Sequence, residues 1–232
     1  MTDSAGSLAV LVGLAEEADL LRKASRSWPE APRVIVGGGT AAAAQRRAPD
    51  LLGQSPSALL SFGYCGGLAG DLRPGDLVIA TQAVDASGAR FPCDPHLSGK
   101  IQNAAKDLGL RLHSGAVASP EKVAADPLEK QRLMDSTGTI AVDLESAAVA
   151  QVAQGAGLPF AVLRAVLDDA QTPLPRLAVS AIDERSGKAR IARILLGLLR
   201  DPGALPALIR LGRARAAAQA SLRRLLVRPL AL

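Results

Sequence analysis

The chain reads as an α/β domain. Short apolar runs of strand length alternate with alanine-rich segments of helical period, and glycines gather where the apolar runs stop. After residue 186 the pattern changes to basic amphipathic helices. Residues 139–170 show the alternation best. A short apolar run (140–142) leads into Asp143-Leu144-Glu145-Ser146 and an alanine-rich helix ended by Gly155 and Gly157. A second run (160–167) follows, broken only by Arg164 and closed by Asp168-Asp169. Runs of this kind belong to strands buried on both faces. They place Glu145 at a strand-to-helix junction and Asp168 at a strand end, where ligands sit in α/β sheets.

The other elements follow in order. Residues 8–14 are the first buried strand. Residues 15–23 begin a helix whose first turn carries Glu16 and Glu17, where the helix dipole favours negative charge, so capping accounts for at least one of the pair. Residues 33–36 form a strand that runs into Gly37-Gly38-Gly39-Thr40 before an alanine-rich helix. Backbone N–H groups at such a turn can cradle an anion or admit a ligand closely, which makes Gly38 a candidate contact. The dinucleotide fingerprint is incomplete, with alanine where its last glycine should be. Residues 58–62 are a strand leading to the glycine turn Gly63-Tyr64-Cys65-Gly66-Gly67. Residues 71–76 turn into the strand 77–83. Residues 86–98 read as a loop, a candidate flap over a pocket. A helix is expected at 97–110, a strand at 115–118 and a ragged helix at 120–135, with a break at 171–175. In the tail, Ile191, Ile194, Leu195 and Leu198 share one helical face, and a second helix over 205–227 carries Arg210, Arg213, Arg215, Arg223 and Arg224.

The chain has 232 residues, enough for one large core, and only 2% are aromatic, so that core is built from Ala, Leu and Val. No run has the length of a membrane span and no signal core is legible, so a cytoplasmic protein is expected. Cys65 and Cys93 are too few for a disulfide framework, His96 and His113 stand alone, and no metal site is legible. Residues 1–184 carry 16 basic and 21 acidic side chains, whereas 185–232 carry 11 basic and one acidic, so the excess basicity is confined to the tail. With so few aromatics for stacking, nucleic acid is not an expected partner.

Four motifs stand in register over residues 8–170: an opening strand with Gly13-x-x-x-Glu17, Gly-Gly-Leu before Arg-Pro-Gly-Asp, V-D-L-E-S-A-A-V-A, and G-L-P-F-A-V-L-R-A-V-L-D-D. Together they resemble the nucleoside phosphorylase and methylthioadenosine/adenosylhomocysteine nucleosidase superfamily. The tail, L-P-R-L-A-V-S-A-I-D-E and then basic helices, further resembles the hopanoid-associated branch, which is linked to removing adenine from adenosylhopane. The resemblance implies a three-layer αβα sandwich around a mixed twisted sheet, with a catalytic domain over 1–186 and a basic helical extension over 187–232.

Cleavage of an N-glycosidic bond leaves a cation-like ribose while the purine departs with the bonding electrons. It needs an acid for the purine, negative charge near the ribose and a base for water. By resemblance, Asp168 is the acid at N7, Glu145 holds the ribose hydroxyls and Glu17 activates the water. Asp169 is the alternative acid and Glu16 the alternative base. Gly66 would lie against the substrate, Leu144 would pack beside the nucleoside where relatives have methionine, and Val123 would belong to the purine pocket; ordinary core packing also suits the last two.

Two departures matter. Relatives have Ser-Asp where this chain has Leu167-Asp168, and phosphorylases carry a phosphate-clamping arginine where this chain has Ser61, with no arginine expected from the neighbouring strand. A dianion in a pocket needs charged partners, so water is favoured as nucleophile; phosphate on the Gly37–Gly39 backbone is the alternative co-substrate. No other cofactor is implied. The expected partners are an adenosyl lipid or nucleoside, an anionic membrane surface met peripherally through the basic tail, and a second copy of the chain.

Overall fold

The structure, a computed structural model, describes residues 7–175, 182–183, 186–189, 196, 198 and 200–230. In chain order the elements are β1 (Leu8–Val12), α1 (Ala15–Ala24), β2 (Arg33–Val36), α2 (Ala41–Arg47), β3 (Ala58–Gly67), β4 (Leu77–Asp85), β5 (Arg90–Pro92), α3 (Pro95–Asp107), β6 (Leu112–Ser119), α4 (Pro127–Thr137), β7 (Ala141–Val142), α5 (Ser146–Ala156), β8 (Phe160–Asp168), the short hairpin β9 (Ile182–Asp183) and β10 (Lys188–Ala189), and α6 (Leu205–Leu225).

Among the described residues the main sheet has eight strands and is mixed, as expected. β1 lies parallel between β2 and β3, and β3 is parallel to β8. β8 meets the first half of β4 antiparallel, β4 and β6 are parallel, β6 and β7 are parallel, and β7 returns antiparallel to β3 at Gly66–Gly67. Strands β3, β8, β4, β6 and β7 therefore close on themselves, with β1 and β2 as an open wing on one side.

The alternation of side chains along the strands builds two apolar layers. Leu8, Val10 and Val12 pack with Leu20, Leu21, Leu97, Ile101 and the α6 residues Ala218, Leu222 and Leu225. On the opposite face Ala9 and Leu11 pack with Ala44, Leu51, Ala148, Val149 and Ala153. Helices cover both faces of the sheet, which is the three-layer arrangement the sequence predicts. On β8, Leu163 and Ala165 face the first layer and Val162 and Val166 the second. Arg164 and Asp168 share the second face, so polar groups enter along this strand.

Three expectations change. The segment 63–67 is not a turn but the second half of β3, bulged between Cys65 and Gly66. The segment 86–98 is not a loose flap. Asp85 accepts N–H bonds from Ser87 (2.9 Å) and Ala89 (3.0 Å), β5 pairs with β4, and Asp94 caps α3. A three-residue strand is too short to show a period, which is why the sequence reads as a loop there. Third, α4 begins only at Pro127, capped by Asp126, whose side chain accepts from Glu129 N at 2.9 Å.

The tail helix α6 packs into the first apolar layer, and arginines of the tail reach the body: Arg215 pairs with Glu16, Arg224 donates to the Leu108 carbonyl at 2.8 Å, and Arg228, just past the helix, pairs with Asp107 at 3.2 Å. Trp28 Nε1 donates to the Leu226 carbonyl at 3.3 Å. The apolar face read from the sequence is thus spent largely on the core, while Leu205 and Ile209 at the start of α6 remain exposed. The expected earlier tail helix falls for the most part outside the described residues.

Candidate active site

Glu17, Glu145 and Asp168 are all buried, at 2%, 5% and 3% exposure. Glu17 sits in the first turn of α1, where its Oε2 accepts the Leu14 N–H at 2.6 Å; the capping role weighed for the acidic pair therefore falls on Glu17 itself. Its Oε1 accepts the Tyr64 N–H from β3 at 2.7 Å. Glu16 points elsewhere, to Arg215. Burial pushes the Glu17 carboxyl up to about 7, with Arg164 and the backbone donors pulling the other way.

Glu145 precedes α5. Glu145 occupies the N-cap position but its side chain does not cap; Asp143 does that work, its Oδ1 accepting the N–H groups of Glu145 (3.2 Å) and Ser146 (3.0 Å) and the Ser119 hydroxyl at 2.7 Å. Glu145 is left to point at the sheet, where its Oε2 lies 3.3 Å from Nη1 of Arg164. Burial raises its carboxyl to about 7, against the pull of Arg164 and with the repulsion of Asp143 and Glu17 added.

Arg164, fully buried on β8, is the hub. Its Nε lies 2.7 Å from Asp143 Oδ2, its Nη1 donates to the Tyr64 carbonyl at 3.3 Å, and its Nη2 donates to the hydroxyls of Ser61 and Ser146. Burial works against its charge, but Asp143, Glu145 and Glu17 outweigh it and hold the guanidinium above its ordinary value. The neighbouring strand therefore does offer an arginine beside Ser61, contrary to the sequence reading. Its Nη donors are committed to the protein, while Nε meets Asp143 as an ion pair without a hydrogen bond.

Asp168 ends β8 in register with Gly66 and pairs with Lys130 of α4. Burial raises its carboxyl and the lysine opposes that rise. Cys65 lies between the two charged groups: burial raises its thiol, and Arg164, Asp143, Asp168 and Lys130 all act on it. A cavity of about 160 Å³ opens at Asp168, walled by Pro74, Leu167, Thr172, Leu174, Arg210 and Leu211 among others.

Glycines explain how carboxylates come this close to backbone. A Cβ on Gly13 would lie 2.5 Å from Oε1 of Glu145, one on Gly63 would overlap the Glu17 carboxylate, and one on Gly66 would lie 3.3 Å from Oδ2 of Asp168. The Gly37–Gly39 turn joins the same end of the sheet, but the Gly37 and Gly38 N–H groups are already donated to the carbonyls of Val12 (2.6 Å) and Gly13 (3.0 Å). Gly38, at φ +97°, serves the turn, and its N–H is not free for an anion. Leu144 is half-buried in the turn before α5. Val123 is half-buried two residues before Ala125, whose carbonyl accepts the Leu174 N–H at 2.8 Å.

The structure thus gathers Glu17 and Glu145 around Arg164 and sets Asp168 with Gly66 beside them. Sequence reasoning missed Asp143, Lys130 and the hub role of Arg164. Asp143 stood inside the quoted V-D-L-E-S motif. Lys130 gave no signal, because a lysine on a polar helix reads as surface.

Similar proteins fall in one group. A 5′-methylthioadenosine/S-adenosylhomocysteine nucleosidase of Actinobacillus succinogenes is 30% identical over 149 residues, covering 57% of this chain and 65% of the relative. The chain thus spans just under two thirds of that relative's length. Among solved structures, the 5′-methylthioadenosine/S-adenosylhomocysteine nucleosidase of Neisseria meningitidis, in complex with methylthio-immucillin-A, superposes with a TM-score of 0.70 at 19% identity, covering 96% of this chain and 99% of that one. Futalosine hydrolase of Helicobacter pylori gives 0.67 at 19% identity, covering 85% and 98%. At such identities these two show the shared fold. Residues 27–200 match the phosphorylase superfamily, three quarters of the chain, and the chain belongs to that family.

Proposed function

We propose that this protein cleaves the N-glycosidic bond of an adenosyl compound and releases adenine, with water as the nucleophile. The observation that carries this reading is the trio of buried carboxylates at one end of the sheet, with Glu145 paired to Arg164 at 3.3 Å and Glu17 in the field of the same cation. Such a site has no use in packing and suits a reaction that builds positive charge on a sugar.

Glu145 holds the ribose hydroxyls, and its charge favours the oxocarbenium-like transition state. Glu17, poised near neutrality, takes the proton of the attacking water. Asp168 protonates the purine at N7 as the bond breaks. Water rather than phosphate is supported by where the donors go: both Nη groups of Arg164 donate to protein oxygens, its charge is matched by Asp143 and Glu145, and two N–H groups of the glycine turn are spent on β1. The substrate of the finer reading is an adenosyl lipid such as adenosylhopane, met at an anionic membrane surface by a homodimeric enzyme. Exposed Leu205 and Ile209 beside exposed Arg210 and Arg213 support that docking.

The test is adenine release from methylthioadenosine and from an adenosyl lipid, each with and without phosphate. Release independent of phosphate is expected; strict dependence would make the protein a phosphorylase, and binding without release would leave it a non-catalytic module. Co-sedimentation with anionic liposomes, lost when 187–232 is altered at Leu205, Ile209, Arg210 and Arg213, tests the docking separately.

A further inference from the structure

Lys130 is the side chain that the roles above leave unused. It lies on α4, yet it is fully buried, while Leu128 two residues earlier is 58% exposed. Its ammonium group carries three hydrogens and meets three oxygens: Oδ2 of Asp168, the Asp169 carbonyl at 2.6 Å and the Thr172 carbonyl at 3.0 Å. All three donors are matched. Oδ1 of Asp168 takes no hydrogen bond among the described residues, so one carboxylate oxygen is held and the other is left for a ligand. Burying an ion pair is a poor route to stability, since desolvating both charges offsets most of their attraction. A chemical need accounts for the pair better.

Resting on the reading of Asp168 as the acid, we propose that Lys130 is its positioning residue and its proton store, the pair jointly holding the proton that ends on the leaving purine. As the C1′–N9 bond breaks, its electron pair passes into the purine; Asp168 takes a proton from Nζ of Lys130 and gives it to N7, which leaves Asp168 a carboxylate and Lys130 a neutral amine. Water adds to C1′ and gives its proton to Glu17. The neutral amine keeps two N–H bonds for the Asp169 and Thr172 carbonyls, so the turn after β8 stays anchored through the transfer. Once products leave, Lys130 regains a proton from solvent and Glu17 releases one, which closes the balance of substrate plus water to adenine plus free sugar. The other groups facing Asp168 are Asp169 in the same turn, the Cys65 thiol from β3 and Arg210 of α6 across the cavity; none of them touches both Asp168 and the turn carbonyls as Lys130 does.

Two substrates and two variants test this. Methylthioadenosine needs a proton on its leaving group; a 4-nitrophenyl riboside does not, because nitrophenolate departs as an anion. Lys130→Arg keeps the charge, but a guanidinium does not give up its proton in a protein. Lys130→Met removes both charge and proton. Both variants are expected to lower kcat on methylthioadenosine about 100-fold or more with KM within about threefold, and to lose less than about fivefold on the aryl riboside. Equal losses on both substrates, or none on either, would overturn the proposal, the first making Lys130 a brace for the turn. Where a variant fails to fold, Lys130→Gln takes its place, and where the aryl riboside is refused, an N7-methylated adenosine, whose base leaves without taking a proton, takes its place, with the same outcomes read. Unaltered protein that releases no adenine from any adenosyl substrate would instead sink the enzymatic reading as a whole.

Discussion

Arg164 and Lys130 are both buried cations on a shared sheet end, yet they keep different company. Arg164 is surrounded by Asp143, Glu145 and Glu17, so that cluster carries surplus negative charge when its acids are ionised. Lys130 faces one carboxylate and two carbonyls, so its pair is neutral in sum. The difference separates two tasks. Burial raises both carboxyls to about 7 against the pull of Arg164, and the surplus negative charge of the cluster favours a sugar that turns cationic. The neutral pair can pass a proton outward; it is then a carboxylate beside a neutral amine, a charge that Lys130 cancels once it regains a proton from solvent. Acid work and base work can thus run at the same pH a few residues apart.

The sharpest way to break this contrast is Asp168→Asn. It should lower adenine release about 10³- to 10⁴-fold, measured by absorbance, because the proton path is cut. It also strands Lys130 without its counterion, which should cost about 3–5 kcal/mol in a denaturant melt. Adding Lys130→Met should restore the stability and leave the activity lost. Near-normal turnover in Asp168→Asn would move the acid role elsewhere, with Asp169 next to be tested.

On the other side, Glu17→Gln should lower kcat about 10²- to 10³-fold and abolish the acid limb near pH 7 that the unaltered protein should show. Persistence of that limb in the variant would assign it to Glu145 instead.

How much of this was legible in the sequence follows from what each feature depends on. β1, β2 and β8 could be read because burial on both faces forces continuous apolar runs. β5 and β7, at three and two residues, are fixed by pairing partners distant in sequence. Gly63 and Gly66 read as a turn because glycine usually marks one, whereas here the carboxylates of Glu17 and Asp168 stand where side chains of β3 would go. The three acids were legible from motif and position. Their cations were not: Arg164 shows in the sequence only as a break in an apolar run, whereas ring closure through β7 and α5 sets it against Asp143 and Glu145. For α6 the amphipathic pattern was visible, while the surface it covers was not.

Stability should follow pH with a definite sign. The folded Glu17 holds its proton up to about 7, against an ordinary value of 4.5. Between these values the unfolded chain has released a proton that the native chain keeps, so stability falls as pH rises through the window. At about 1.4 kcal/mol per unit the loss amounts to ~3 kcal/mol, and Glu145 adds to it in the same direction. Denaturant melts at pH 5, 6 and 8 should show that decline, and Glu17→Gln should flatten much of it. A protein more stable at pH 8 than at pH 5 would mean that other groups dominate the balance.

The smallest expected effect distinguishes the two charged groups at their glycines. A methyl on Gly13 would press on Glu145 at 2.5 Å with little room to give, since that carboxylate is pinned to Arg164. A methyl on Gly66 would meet Asp168 Oδ2 at 3.3 Å and the Val142 side chain at 3.1 Å, contacts that a shift of a few tenths of an ångström relieves. Gly13→Ala should therefore move the pH at which the acid limb falls and lower kcat, because it disturbs the acid that shares Arg164 with Glu17. Gly66→Ala should raise KM by about threefold to tenfold and leave kcat nearly unchanged, since it narrows the approach to Asp168 without displacing the Lys130 pair, a change worth about 1 kcal/mol in binding. Equal kinetic responses from the two variants would mean that the Arg164 and Lys130 groups are coupled through β3, and that the division of labour between them is less strict than their surroundings imply.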